Sequence, residues 1–203
     1  MKAAKPPIHD TQLTLAGIGA PAPTDRLFFA VFPDPIAAVD ITHLAQTLRH
    51  QYALHGNPVW KERLHVTLYL LGDYAGLPPA LIAAATEAAE RVEAAEFDVT
   101  FDKVSSFVGR SRNHPLILGG GAALEPLHAF RRHLGECLTV AGLGRLLGHQ
   151  FIPHVTLLYD DKDLKSRAVE PISWRVREFA LVHSLLGRTE HRVLERWTLR
   201  TVP

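Results

Sequence analysis

The chain has 203 residues, 47% hydrophobic and 21% charged, enough to build one compact domain or two lobes sharing a core without metal or disulfide staples. Basic and acidic side chains balance to a net charge of +1, which excludes the basic excess that tight nonspecific binding of long duplex nucleic acid requires. A single cysteine excludes an intramolecular disulfide framework, and no apolar run approaches the roughly 20 residues of a membrane span. The start, with Pro6 and Pro7, lacks the apolar stretch of a signal peptide, so a cytoplasmic monomer is the expected setting.

Residues 1–24 contain Pro6, Pro7, Pro21 and Pro23 and read as a flexible N-terminal arm, with 25–203 a single two-lobed domain. Arg26 to Phe32 reads as an apolar strand. Asp34 is placed to cap a helix whose first position is Pro35, and Ile36, Val39, Leu44 and Leu48 continue it. Residues 64–72, LHVTLYLLG, form a second apolar strand. The alanine-rich run 81–95 is a helix by propensity, and strands are expected over 97–104 and 115–118. A third helix, 123–140, carries Leu124, Leu127, Phe130, Leu134 and Leu138 on one stripe. Residues 151–159 form a strand, and 174–183 with 192–199 a closing hairpin. Each half thus contains a helix, a glycine-containing connection and a strand bearing His-Val-Thr-Leu. The expected class is α+β, bilobal and pseudo-symmetric, with two mainly antiparallel sheets and outer helices around a central cleft.

The repeated tetrapeptide carries the chemistry. On a strand, side chains at i and i+2 share a face, so His65 lies beside Thr67 and His154 beside Thr156. Buried imidazoles and hydroxyls are costly unless paired, and a groove lined by both pairs removes that cost. Two facing imidazoles near neutral pH suit phosphodiester hydrolysis: one takes a proton from water, the other gives a proton to the leaving oxygen. The threonine hydroxyls suit the nonbridging phosphate oxygens between them.

The two His-x-Thr motifs, about ninety residues apart within HVTLYLLG and FIPHVTLL, together with the opening RLFFAVFPD, resemble the two-histidine phosphoesterase superfamily. The nearest resemblance is to the bacterial RNA 2',3'-cyclic phosphodiesterases, historically called 2'-5' RNA ligases. It implies metal-independent opening of a 2',3'-cyclic phosphate, on an RNA 3' end or a small nucleotide, to a 2'-phosphomonoester. By motif order it gives His65 the proton-donor role, His154 the water-activating role, and Thr67 and Thr156 the phosphate. No cofactor and no metal are expected. Many relatives carry an arginine shortly after the second motif, where this chain has Tyr159 and Asp160. Alternative activities are 2'-5' RNA ligation or its reversal, and noncatalytic binding of a nucleotide or RNA end.

Further substrate contacts are sought in Tyr69, Phe107 and Tyr159 for base stacking, and in Arg110 and Arg112, in the polar loop after Phe107, for phosphate. Tyr69, four residues from His65, is expected on the same face as the motif and Tyr159, five from His154, on the opposite one. Lys61, Arg63 and Arg188 are further phosphate candidates, with Arg63 expected to face away from His65. Trp174 is expected in the core, Ser184 at a strand end near the cleft, and His183 and His191 on the surface beside a turn.

Overall fold

The computed structural model describes residues 21–107, 113–148 and 150–201. Strand β1 (Asp25–Val31) leads into helix α1 (Pro35–Gln51), a 3-10 turn (Lys61–Arg63) and β2 (Val66–Tyr74). Helix α2 (Pro79–Glu90), β3 (Phe97–Ser106) and β4 (His114–Gly119) follow. A short 3-10 turn opens into α3 (Glu125–Val140), and the chain ends in β5 (His154–Asp160), β6 (Arg167–Val176), β7 (Glu178–Leu185) and β8 (Glu190–Thr198).

The strands make two four-stranded antiparallel sheets, ordered β2-β1-β7-β8 and β5-β4-β3-β6. Each motif strand is an edge strand reached through a helix from its inner neighbour: β1-α1-β2 in the first sheet, β4-α3-β5 in the second. This is the pseudo-symmetry expected from the sequence. One continuous core joins both lobes, running from Leu27, Phe29 and Val31 through Phe101 and Leu118 to Val155. On the other face of the first sheet, Phe28, Ala30, Ala180 and Val182 form a small cluster of their own. Among the described residues no helix is long and apolar enough to cross a membrane.

Local signals hold where no tertiary contact competes with them. Asp34 Oδ1 accepts from the Ile36 and Ala37 N–H groups at 3.0 and 2.9 Å, with Pro35 in the first turn of α1. Helix α2, by contrast, stops at Glu90 rather than 95. The Ala94 carbonyl accepts from Arg200 N–H and the Arg200 carbonyl from Glu96 N–H, so pairing with the C-terminal segment overrides alanine's helical preference. The expected strand 174–183 is in fact two. The chain passes between sheets at Arg177, so Trp174 belongs to β6, is 3% exposed and stacks on Phe101 with ring centroids 4.8 Å apart.

Both motif strands are interrupted by a bulge one residue after the threonine. In β2, Ala30 pairs with Thr67 and Phe29 with Tyr69, leaving Leu68 without an opposite residue. In β5, Ile117 pairs with Thr156 and Leu116 with Leu158, leaving out Leu157. A bulge reverses the inward and outward alternation beyond it. Each extra residue's carbonyl is held by the other half of the chain. The Leu68 carbonyl accepts from Arg131 Nε on α3 at 3.0 Å, and the Leu157 carbonyl from Val59 N–H, before β2, at 2.7 Å.

A second tie lies at the end of β5. Asp160 is 3% exposed, and its carboxylate accepts from the N–H groups of His55 (2.5 Å), Gly56 (2.7 Å) and Lys162 (3.0 Å). Burial alone would raise its pKa, but these donors outweigh burial and lower it to about 2. The carboxylate therefore holds the loop after α1 against the second sheet.

Candidate active site

His65 immediately precedes β2 and His154 opens β5. Each imidazole is tied through Nδ1 to the backbone carbonyl two residues earlier: His65 to Arg63 at 2.6 Å, and His154 to Ile152 at 2.7 Å. A carbonyl only accepts, so Nδ1 carries the hydrogen in both rings and Nε2 is the nitrogen left for chemistry. The same local device sets the same tautomer twice.

His65, Thr67, His154 and Thr156 line one cleft of about 480 Å³, a size suited to a nucleotide-scale ligand. Phe28 lies beneath His65 with centroids 5.0 Å apart, and Phe107 sets its ring edgewise to His154 at 4.9 Å. These contacts restrict ring rotation and dry the surroundings. Burial lowers the pKa of His65; the Arg63 guanidinium and His154 lower it further, against the opposing pull of the Arg63 carbonyl. Burial also lowers the pKa of His154, against the Ile152 carbonyl.

The bulges decide the fate of the two tyrosines, and both expectations are reversed. Tyr69 leaves the cleft face and is 7% exposed in the core, under the guanidinium of Arg131, which sits 4.1 Å from its ring centre. Gly135 on α3 makes room for it, since a Cβ there would lie 2.3 Å from the Tyr69 hydroxyl. Tyr159 is turned toward the cleft instead and is 48% exposed. Leu70 holds the matching place after the first bulge, also on the cleft and 45% exposed.

Of the basic candidates, Arg110 and Arg112 lie outside the described residues. Lys61 pairs with Glu62 at 3.9 Å, and the side of the cleft at the β7–β8 turn is lined by Gly187 and Thr189 rather than Arg188. Arg63 does line the cleft, contrary to expectation. It stands two residues from His65, an even step, and the 3-10 turn Lys61–Arg63 delivers it there. Ser184 is 7% exposed and also lines the cleft.

His191, expected on the surface, lines the cleft, a placement that sequence reasoning missed. It pairs with Ser184 across the β7–β8 hairpin, sets its ring edgewise to His65 at 5.2 Å, and lies 3.1 Å through Nε2 from Arg63 Nη2. Burial, then His65 and Arg63, lower its pKa to about 4. Its pairing opposite Ser184 is set by the β7–β8 register, which the sequence does not display. His183, by contrast, faces away and pairs with Asp25 at 2.6 Å.

Among the described residues one group brings three potential metal ligands together: His55, Asp160 and Asp161. Asp160 there is already engaged by backbone N–H groups, and the group is not part of the cleft lining.

The cleft's paired motifs find their counterpart in a family model described as the 2'-5' RNA ligase superfamily, which matches residues 32–188. The chain belongs to this superfamily. As a member it is a histidine-dependent phosphoesterase. Among solved structures, Escherichia coli LigT complexed with ATP is 27% identical with a TM-score of 0.66, the match covering 87% of this chain and 98% of LigT. LigT complexed with 3'-AMP is 28% identical with a TM-score of 0.64, again covering 87% and 98%. TT0787 of Thermus thermophilus, 23% identical with a TM-score of 0.69 and covering 87% and 98%, shares the fold. Among curated proteins none matches.

Proposed function

We propose that this superfamily member opens 2',3'-cyclic phosphates on RNA ends or nucleotides to 2'-phosphomonoesters without a metal, using His65 and His154 as acid and base. The observation that carries this reading is the pair of imidazoles on one cleft, each with Nδ1 spent on a backbone carbonyl and Nε2 without a hydrogen-bond partner among the described residues. In the reaction, neutral His154 takes a proton from water at Nε2 as the water oxygen attacks phosphorus. The bond to the 3' oxygen breaks, and protonated His65 gives that oxygen its Nε2 proton. Thr67 and Thr156 donate to nonbridging oxygens and hold the phosphorus between the rings.

The surroundings of His65 fit the donor role. A depressed pKa makes its imidazolium a stronger acid, and the negative charge of a bound phosphate favours the protonated form when substrate arrives. A cleft of about 480 Å³ and a near-neutral chain suit a nucleotide or a single RNA end. LigT complexed with 3'-AMP and with phosphate supports ligands of this class.

Incubation with a 2',3'-cyclic nucleotide and excess chelator tests the reading. The expected product is the 2'-phosphomonoester, at a rate unchanged by chelation. Saturable binding without product, or loss of activity on chelation with recovery on adding metal, would contradict it.

A further inference from the structure

Two guanidinium groups line the cleft among the described residues, Arg26 and Arg63. Arg26 is neutralised by a two-point ion pair with Asp73, at 2.7 and 2.8 Å. Arg63 has no carboxylate partner among the described residues. Its Nη2 donates to His191 Nε2 at 3.1 Å; a guanidinium only donates, so the imidazole accepts there and, being neutral, carries its hydrogen on Nδ1. The preference of His191 for the neutral form agrees with this assignment. Arg63 Nε and His191 Nδ1 are both buried and have no acceptor among the described residues. Unpaired buried donors are costly and call for an explanation.

An arginine oriented by a carboxylate is electrically spent. One oriented by a neutral imidazole keeps its full charge. Resting on the phosphoesterase reading above, we propose that Arg63 binds the nonbridging oxygens of the substrate phosphate from the first lobe, and that His191 is the positioning residue that aims it without neutralising it. The Arg63 backbone carbonyl meanwhile holds His65 Nδ1, so one residue orients the imidazole with its main chain and meets the phosphate with its side chain.

The test compares Arg63→Met, His191→Gln and His191→Glu with the wild type in two assays: turnover of a 2',3'-cyclic nucleotide, and affinity for inorganic phosphate at about pH 8, where imidazoles are neutral. Arg63→Met is expected to lose on the order of 10²-fold in kcat/KM and at least about tenfold in phosphate affinity. His191→Gln keeps a neutral acceptor and loses less than His191→Glu, which places a carboxylate against the guanidinium. If Arg63 and His191 serve packing alone, Glu becomes the better partner, and His191→Glu matches or exceeds His191→Gln in both assays; that order overturns the proposal. So does unchanged phosphate affinity in Arg63→Met. Should Arg63→Met fail to fold, the Gln and Glu comparison decides alone. If the wild type turns over no cyclic substrate, the phosphoesterase reading fails while the phosphate affinities still rank the variants.

Discussion

Replacing either His65 or His154 with alanine is expected to lower kcat on cyclic phosphates by about 10²–10⁴ while leaving the melting temperature near that of the wild type. The magnitude is that of one positioned proton transfer. The folded state should tolerate the changes because both rings already border an open cleft and each gives up one hydrogen bond to a local carbonyl. The double variant should fall little below the worse single one, since the two residues act in one step. A substrate whose leaving group departs without a proton, such as a nitrophenyl ester, separates the roles. It should restore much of the rate to His65→Ala, which lacks only the acid, and little to His154→Ala, which still lacks the base. The opposite pattern would exchange the two assignments.

The second large effect is expected far from any proton. A Cβ on Gly56 would lie 1.9 Å from the Tyr159 carbonyl oxygen and 2.9 Å from its carbon, and backbone atoms cannot rotate away. Gly56→Ala must push the loop after α1 off the end of β5, straining the bonds that Asp160 makes to His55 and Gly56. A loss of about 3 kcal/mol follows from the overpacking and the weakened buried bonds together, or roughly 6–12 °C in melting temperature for a chain of this size. Gly148→Ala is the control: among the described residues a Cβ there meets nothing within 4 Å, and its melting point should stay within about 2 °C. Because the loop ties the first half to the strand bearing His154, Gly56→Ala should also lower kcat at temperatures where it remains folded.

The same tie explains why Asp160 stands where a cleft residue might be sought. Its carboxylate points into backbone donors of the other half, while Tyr159 beside it faces the cleft. The sequence shows these two residues side by side but not which one turns inward. That depends on the bulge at Leu157, an extra residue whose carbonyl is taken by Val59 from elsewhere in the chain. Period-two reasoning correctly paired His65 with Thr67 and His154 with Thr156 on the cleft, because both pairs precede the bulges. It misplaced Tyr69 and Tyr159 because both follow them.

Two sheets, flanking helices and a repeated helix-to-strand unit were legible because local periodicity and the two tetrapeptides encode them. The passage between sheets at Arg177 was not: β6 and β7 abut with one residue between them and read as a single run. His191 was invisible for a related reason. It reaches His65 through hairpin pairing and sheet order, from the far end of the chain. No local spacing announces such a contact.

The central claim is that His65 and His154 act on one phosphate through their Nε2 atoms. Imidazole nitrogen resonances, followed through a pH titration with and without inorganic phosphate, test it most directly. Without phosphate, both rings should show hydrogen on Nδ1 and titrate below the ordinary histidine value near about 6.5, since burial disfavours the charged form of each. With phosphate, a nearby anion favours the charged form, so both pKa values should rise, and both Nε2 signals should shift with the same half-saturating concentration. A response from one ring alone, or unequal half-saturation of the two, would show that they do not share a phosphate.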